Sequence, residues 1–191
     1  MKRREALKNI GLAAGIAVAT PSALSILQSC QSDAAAWRPS FFTSEEGALL
    51  KGITNTILPK TDTPSASEVN VAEFLDKYVN EVLMEEEQAK SRKSMESLLN
   101  LVKDNYGTNI SKLTEANYKD LLDNHMKLIG EEGRDNPISQ FLNQIKSQSI
   151  WAYRNSELVG ETILPYDPIP GQAYCGDLQE LTGGKAWSLS W

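Results

Sequence analysis

Catalysis by a Ser-His-Asp or Cys-His device would have to begin at His125, because it is the only imidazole in this 191-residue chain. It sits beside Met126, three and four positions after Leu122 and Leu121, and no nucleophile motif accompanies it. A histidine on the surface or core edge of a helix is the simpler reading. Glu85-Glu86-Glu87 offers three carboxylates in a row, but consecutive helical residues point in different directions, so the run reads as a solvated helix face. Gly183-Gly184-Lys185 lacks the rest of a phosphate-cradling loop and reads as a turn. The stretch 104–109 is acidic and polar without calcium-loop spacing, and reads as a helix end. There is no Cys-x-x-Cys-His run for haem attachment, and one His with two Cys is too little for the usual four-ligand zinc or iron–sulfur sites. These residues predict neither catalytic residues nor a flavin, haem or metal site in this chain.

The two cysteines carry different messages. Leu27-Gln28-Ser29-Cys30 resembles a lipobox, in which the Cys is lipidated and becomes the mature N-terminus; Gln28 is larger than the residue usual there. Ahead of it, Arg3-Arg4 opens a charged start, and 10–19 follow without a charge, the layout of an export signal. Arg3-Arg4-Glu5-Ala6-Leu7-Lys8 resembles the twin-arginine motif of proteins exported already folded, with Ala6 where a bulky apolar residue is usual and Lys2 where Ser or Thr is. Lipidation of Cys30, simple cleavage nearby and an uncleaved anchor remain three open fates, although Ser22, Ser25, Gln28 and Ser29 interrupt the ~20 apolar residues that a membrane span needs. If Cys30 is lipidated, Cys175 has no partner in its own chain, and is either a buried thiol or a bridge to another chain.

Charge divides the chain in the same place. The net charge is −6, while residues 1–30 hold Lys2, Arg3, Arg4 and Lys8 against Glu5, or +3; the difference leaves −9 on residues 31–191. An acidic body argues against nucleic acid, whose phosphates recruit Lys and Arg.

The elements that must position all this read as helices. Thr43-Ser44-Glu45-Glu46 is a capping box, and Leu49, Leu50, Ile53, Ile57 and Leu58 fall on one helical face until Pro59 stops the run. After a Pro/Ser/Thr loop over 59–70, Val71, Phe74, Leu75, Tyr78 and Val82 begin a second amphipathic helix. Met95, Leu98, Leu99, Val102 and Tyr106 restore the apolar face before Gly107, so 71–106 is either one helix or two. Thr114 reads as an N-cap flanked by Leu113 and Tyr118, with Leu121, Leu122, Met126 and Ile129 sharing the face of Tyr118. Asn136-Pro137 is a cap followed by proline at the first helical position, leading into Ile138, Phe141, Leu142 and Ile145. No stretch alternates with period two. The expected fold is all-α: an irregular helical bundle over 43–164, preceded by an export signal over 1–30 and a tether over 31–42. A proline-rich, non-helical tail over 165–191 packs on the domain or on a partner. Its aromatic residues Tyr166, Tyr174, Trp187 and Trp191, with Cys175, are the expected partner contacts, since aromatic anchors dominate interfaces.

Several of these segments together resemble the small subunit, subunit 3, of gluconate 2-dehydrogenase. They are the twin-arginine start, the helix end Asn55-Thr56-Ile57-Leu58-Pro59 and the loop leading into Val71-Ala72-Glu73-Phe74-Leu75-Asp76. The tail pieces Tyr166-Asp167-Pro168-Ile169-Pro170-Gly171 and Gly183-Gly184-Lys185-Ala186-Trp187-Ser188-Leu189 resemble one branch of that family. The lipobox-like Cys30 departs from the family pattern. The resemblance implies a non-catalytic, periplasmic accessory subunit that supports export and assembly of a large GMC-type flavoprotein. That partner would carry FAD and oxidise a sugar or sugar acid, with a cytochrome c subunit taking the electrons, and lipidated Cys30 would add a membrane attachment. Two alternatives stand beside it: a free-standing helical envelope lipoprotein with another partner, and an enzyme with a site around His125 and the acidic helices.

Overall fold

Thr43 starts the first helix as its residue type predicts. Its side chain accepts the Glu46 amide at 3.3 Å, and the Glu46 carboxylate accepts the Thr43 amide at 2.8 Å. This reciprocal cap satisfies two of the orphan donors at the start of α1 (Ser44–Ile57). The computed structural model describes residues 37–166 and 177–188, leaving out the side chains of Leu178 and Leu181. The chain divides into two compact units, Met1–Trp37 and Arg38–Trp191. Of the first only Trp37 is described, half-buried; everything below concerns the second.

Among the described residues there are six α-helices and no strand. After α1 come α2 (Val71–Glu81), α3 (Glu85–Tyr106), a 3₁₀ turn at Ile110–Lys112, α4 (Glu115–His125), α5 (Pro137–Arg154), a π-helical turn at Leu158–Ile163 and α6 (Leu178–Thr182). The two hubs are α1 and α5: each packs on α2, α3 and α4 and on the other. Leu49 and Ile53 of α1, Met95, Leu98 and Val102 of α3 and Leu142 of α5 are completely shielded from water, and Leu121 of α4 nearly so. Burying each such side chain contributes about 1.5–3 kcal/mol. Tyr118 of α4 lies flat on α1 at Gly52, where an added Cβ would come within 2.1–2.5 Å of its ring atoms.

The open question over 71–106 resolves as two helices. The chain leaves helical geometry at Met84 (φ −68°, ψ 156°), and the Gln88 side chain donates through Nε2 to the carbonyls of Asn80 and Leu83, closing the end of α2. Glu85, Glu86 and Glu87 then occupy the exposed first turn of α3, where carboxylates complement the helix dipole. Gly107, at φ 106°, ends α3. Thr114 and Asn136 cap α4 and α5, with Asn117 completing a second capping box and Pro137 following its cap.

Three expectations need correction. Met126 and Ile129 do not extend the face of Tyr118: α4 ends at His125, Met126 is extended, and Ile129 is 93% exposed. Phe74 and Val82 sit on α2 or its cap as predicted, but both are exposed rather than core. The tail is not wholly non-helical, because Asp177 caps the short α6 by accepting the amides of Gln179 and Glu180. Gly183 and Gly184, both at positive φ, do form the turn read from the sequence.

The loop between α1 and α2 is pinned at several points. Asn55 and Ser67 bond reciprocally, at 2.9 Å from the Ser67 amide to Asn55 Oδ1 and 2.7 Å from Asn55 Nδ2 to Ser67 Oγ. The Ala66 amide donates to the Leu58 carbonyl at 2.9 Å, and the Tyr153 hydroxyl donates to the Pro64 carbonyl at 2.7 Å. Asn70 closes the loop in left-handed geometry (φ 54°, ψ 40°), where Asn is among the better-tolerated residues. The entry to α1 is pinned as firmly. Asp76, wholly buried in α2, accepts the backbone amides of Ser40, Phe41 and Phe42 at 2.5, 3.1 and 2.9 Å. From α3, Arg92 donates to the Phe41 carbonyl at 3.0 Å and lies 4.2 Å from the centre of its ring.

Candidate interaction surface

Helix α2 carries more apolar side chains than one buried face can hold. Val71, Leu75 and Val79 recur every fourth residue and are buried. Phe74, Tyr78 and Val82 recur at the same spacing one step round the helix, which places them along its flank. Helix α5 packs beside that flank and contributes Trp151. The three rings form one cluster, with centroids 5.4 Å apart for Phe74 and Trp151, 5.6 Å for Tyr78 and Trp151, and 6.2 Å for Phe74 and Tyr78. These separations lie in the favourable range for offset and edge contacts.

The cluster faces water. Phe74 is 43% and Trp151 44% exposed, Tyr78 is half-buried, and Val82, Ile150 and Leu158 are further exposed apolar side chains of α2, α5 and their ends. Large aromatic side chains grouped at the surface make this face a candidate interaction site. Nearby, Tyr153 of α5 donates to the Pro64 carbonyl of the loop ahead of α2, and Lys51 of α1 pairs with Glu73 of α2 at 3.2 Å.

The residues singled out from the sequence are distributed differently. Arg3, Arg4, Cys30, Tyr174, Cys175 and Trp191 lie outside the described residues. Tyr166 is 45% exposed. Trp187 is half-buried, and its carbonyl accepts from Arg154 at the end of α5 at 3.3 Å. Around it the tail is tied to the body: the Ser188 amide donates to the Pro165 carbonyl at 3.0 Å, Lys185 donates to the Ile163 carbonyl at 3.0 Å, and Thr182 and Ser188 are buried. The described tail thus covers part of its own domain. Phe74, Tyr78 and Trp151 were not foreseen as a group. The doubled apolar stripe of α2 was the available signal, since it exceeds what one packed face needs.

Several ionisable groups are tied into structural contacts. His125 is the half-buried last residue of α4. Among the described residues, no group of three or more His, Cys, Asp or Glu side chains could hold a metal ion, and no helix is long and apolar enough to cross a membrane. Burial pushes the Tyr118 phenol up. It does the same for Tyr106, aided by the Asp120 carboxylate that accepts its hydroxyl at 2.7 Å. Glu68 is held down at about 2 by hydrogen bonds from Lys60 and from the amide and hydroxyl of Ser65.

A family model described as gluconate 2-dehydrogenase subunit 3 matches residues 44–171, from the first residue of α1 into the proline-rich segment. No curated protein and no solved structure matches the chain.

Proposed function

The chain belongs to the gluconate 2-dehydrogenase subunit 3 family, and from that premise we propose that it is the accessory, non-catalytic subunit of a periplasmic flavin-dependent dehydrogenase acting on a sugar or sugar acid. The partner is a large GMC-type flavoprotein that binds FAD and performs the oxidation, with a cytochrome c subunit receiving the electrons. This chain brings no cofactor of its own. It brings the export signal and a docking surface.

The aromatic face of α2 and α5 is the observation that carries this reading. Rigid aromatic side chains lose little entropy on association and supply most interface hot spots. Phe74, Tyr78 and Trp151 form the centre of the contact, and Tyr166, Tyr174, Cys175, Trp187 and Trp191 of the tail are further candidate partner contacts. A flavoprotein must fold around its cofactor before it leaves the cytoplasm, so one twin-arginine signal at Arg3-Arg4 serves both chains. Acylated Cys30 then holds the complex at the membrane.

Replacing Arg3 and Arg4 by lysine keeps the charge and removes the twin-arginine feature. The flavoprotein is then retained in the cytoplasm together with this subunit. A flavoprotein that still reaches the periplasm in full contradicts the carrier role.

A further inference from the structure

Helix α5 shows water an uncharged face. Its buried side chains include Phe141, Leu142, Ile145 and Ala152. Its exposed residues are Pro137, Gln140, Gln144, Ser147, Ile150 and Trp151, and steps of three and four set them on one stripe. None of them is charged. The exposed face of α3 carries Lys90, Lys93, Glu96 and Asp104, and that of α4 carries Glu115, Lys119, Asp120 and Asp123, as solvated helix faces usually do. The two charges of α5, Lys146 and Arg154, are half-buried, and Arg154 donates to the Trp187 carbonyl. Missing charge together with aromatic side chains distinguishes the centre of an interface from the rest of a protein surface. Resting on the subunit reading above, we infer that the flavoprotein lies lengthwise along this stripe, from Trp151 to a second anchor at Leu128 and Ile129.

The three rings alone are too small to be the whole contact, because a stable interface covers about 800 Å² and roughly 20–30 residues on each partner. The uncharged stripe says in which direction it extends. Gln140 stands eleven residues before Trp151, a distance of about 16 Å along the helix axis. There Leu128 and Ile129, 50% and 93% exposed, share a groove with Gln140, Gln144 and Ser147. Local bonds hold this apolar tip in place: Leu128 donates its amide to the Glu131 carboxylate at 2.6 Å, and the Lys127 amide donates to the Ser139 hydroxyl at 3.0 Å. The surface that fits is apolar at both ends and uncharged between them. Exposed Glu131, Glu132 and Asp135 follow the tip, so the pocket that takes Ile129 has a neutral or basic rim. A second copy of this chain is opposed by the net −9 on residues 31–191 of each, and an anionic lipid surface by the same charge.

Biolayer interferometry with the tagged chain from its native envelope, against the flavoprotein that co-purifies with it, is the test. Gln144→Arg and Gln144→Glu each place a charge in the middle of the covered stripe, and both weaken binding at least about tenfold. Ile129→Ala, at the far anchor, weakens it about tenfold as well. Lys93→Glu, a charge change on the exposed face of α3, leaves the affinity within about twofold. Circular dichroism and melting temperature stay at wild-type values, since all three positions are exposed. Crosslinking is independent of these variants: a benzophenone amino acid at position 144 captures the flavoprotein on irradiation, and one at position 93 does not. If Trp151→Ala weakens the complex while the Gln144 and Ile129 variants bind as wild type does, this inference falls and the subunit reading stands. A wild-type chain without a flavoprotein overturns both. A dimer of the purified chain that Gln144→Arg dissociates gives the stripe to a second copy, and overturns the inference too.

Discussion

The carboxylate of Asp76 accepts the amide hydrogen of Phe42, 34 residues earlier in the chain, and does so in a site closed to water. Phe41 and Ser40 donate to the same carboxylate, so three consecutive amides converge on one buried charge. Hydrogen bonds to a charged acceptor contribute more than neutral ones, and their loss strands the amides. Asp76→Asn, which keeps one acceptor oxygen and removes the charge, should lower stability by about 1.5–3 kcal/mol, and Asp76→Ala by more. Urea unfolding followed by circular dichroism measures both. Equal stability of wild type and Asp76→Ala would contradict a structural role for the clamp.

Gly52 and Tyr118 make a second pair whose geometry fixes the outcome of a substitution. Gly52→Ala drives a methyl group into the Tyr118 ring and should cost about 1–3 kcal/mol, the usual range for overpacking. Combined with Tyr118→Ala the clash disappears, so the two losses should sum to more than the double variant shows. A double-mutant cycle in urea measures that coupling. Strict additivity would mean that the ring does not rest on α1.

Glu68 sets a direction for acid behaviour. Its pKa of about 2 lies below the ordinary value of 4.5, because Lys60 and Ser65 donate to the carboxylate. A carboxyl group whose folded-state pKa is depressed contributes stability that is present above the unfolded value. That contribution is lost as pH falls from about 4.5 toward about 2. The group is exposed, so the effect on global stability is small. Carbon-detected NMR of the Glu68 carboxyl should titrate near the lower value, and Lys60→Met should move the midpoint up. A midpoint at 4.5 in the wild-type chain would refute the Lys60–Ser65 network.

Trp151 and Trp187 separate docking from self-coverage. Trp151→Ala removes an exposed ring from the aromatic face, and should cost about 2 kcal/mol or more in partner affinity while thermal stability changes little. Trp187→Ala keeps the backbone carbonyl that Arg154 bonds but removes a half-buried ring, so part of its effect should appear as a lower melting temperature. A Trp151 variant that melts early and binds normally would move the interface elsewhere.

Much of the helical architecture was legible because its signals are local. Thr43 with Glu46, Thr114, and Asn136 before Pro137 each announce a helix start within four residues, and each is where a described helix begins. Boundaries without punctuation were harder. No Gly or Pro stands between Tyr118 and Gly130, so nothing in the sequence marked the end of α4 at His125. The surface face was hidden by ambiguity, since a Phe at helical spacing reads as core until the packing of α2 shows it on the flank. Asp76 was legible only as part of a family-like run, because its partners are backbone amides far away in the chain and leave no trace in residue types. The tail aromatics drew attention by composition, which says nothing of whether Trp187 turns inward or outward.

The central claim is that this chain is a subunit that holds a flavoprotein through the α2–α5 face. Affinity purification of the tagged full chain from its native envelope, followed by flavin absorbance and mass spectrometry of the eluate, tests it most directly. The account predicts a GMC-type flavoprotein with bound FAD in stoichiometric amount, strongly reduced when the bait carries Trp151→Ala. An eluate without a flavoprotein, from a folded and correctly exported bait, would contradict it.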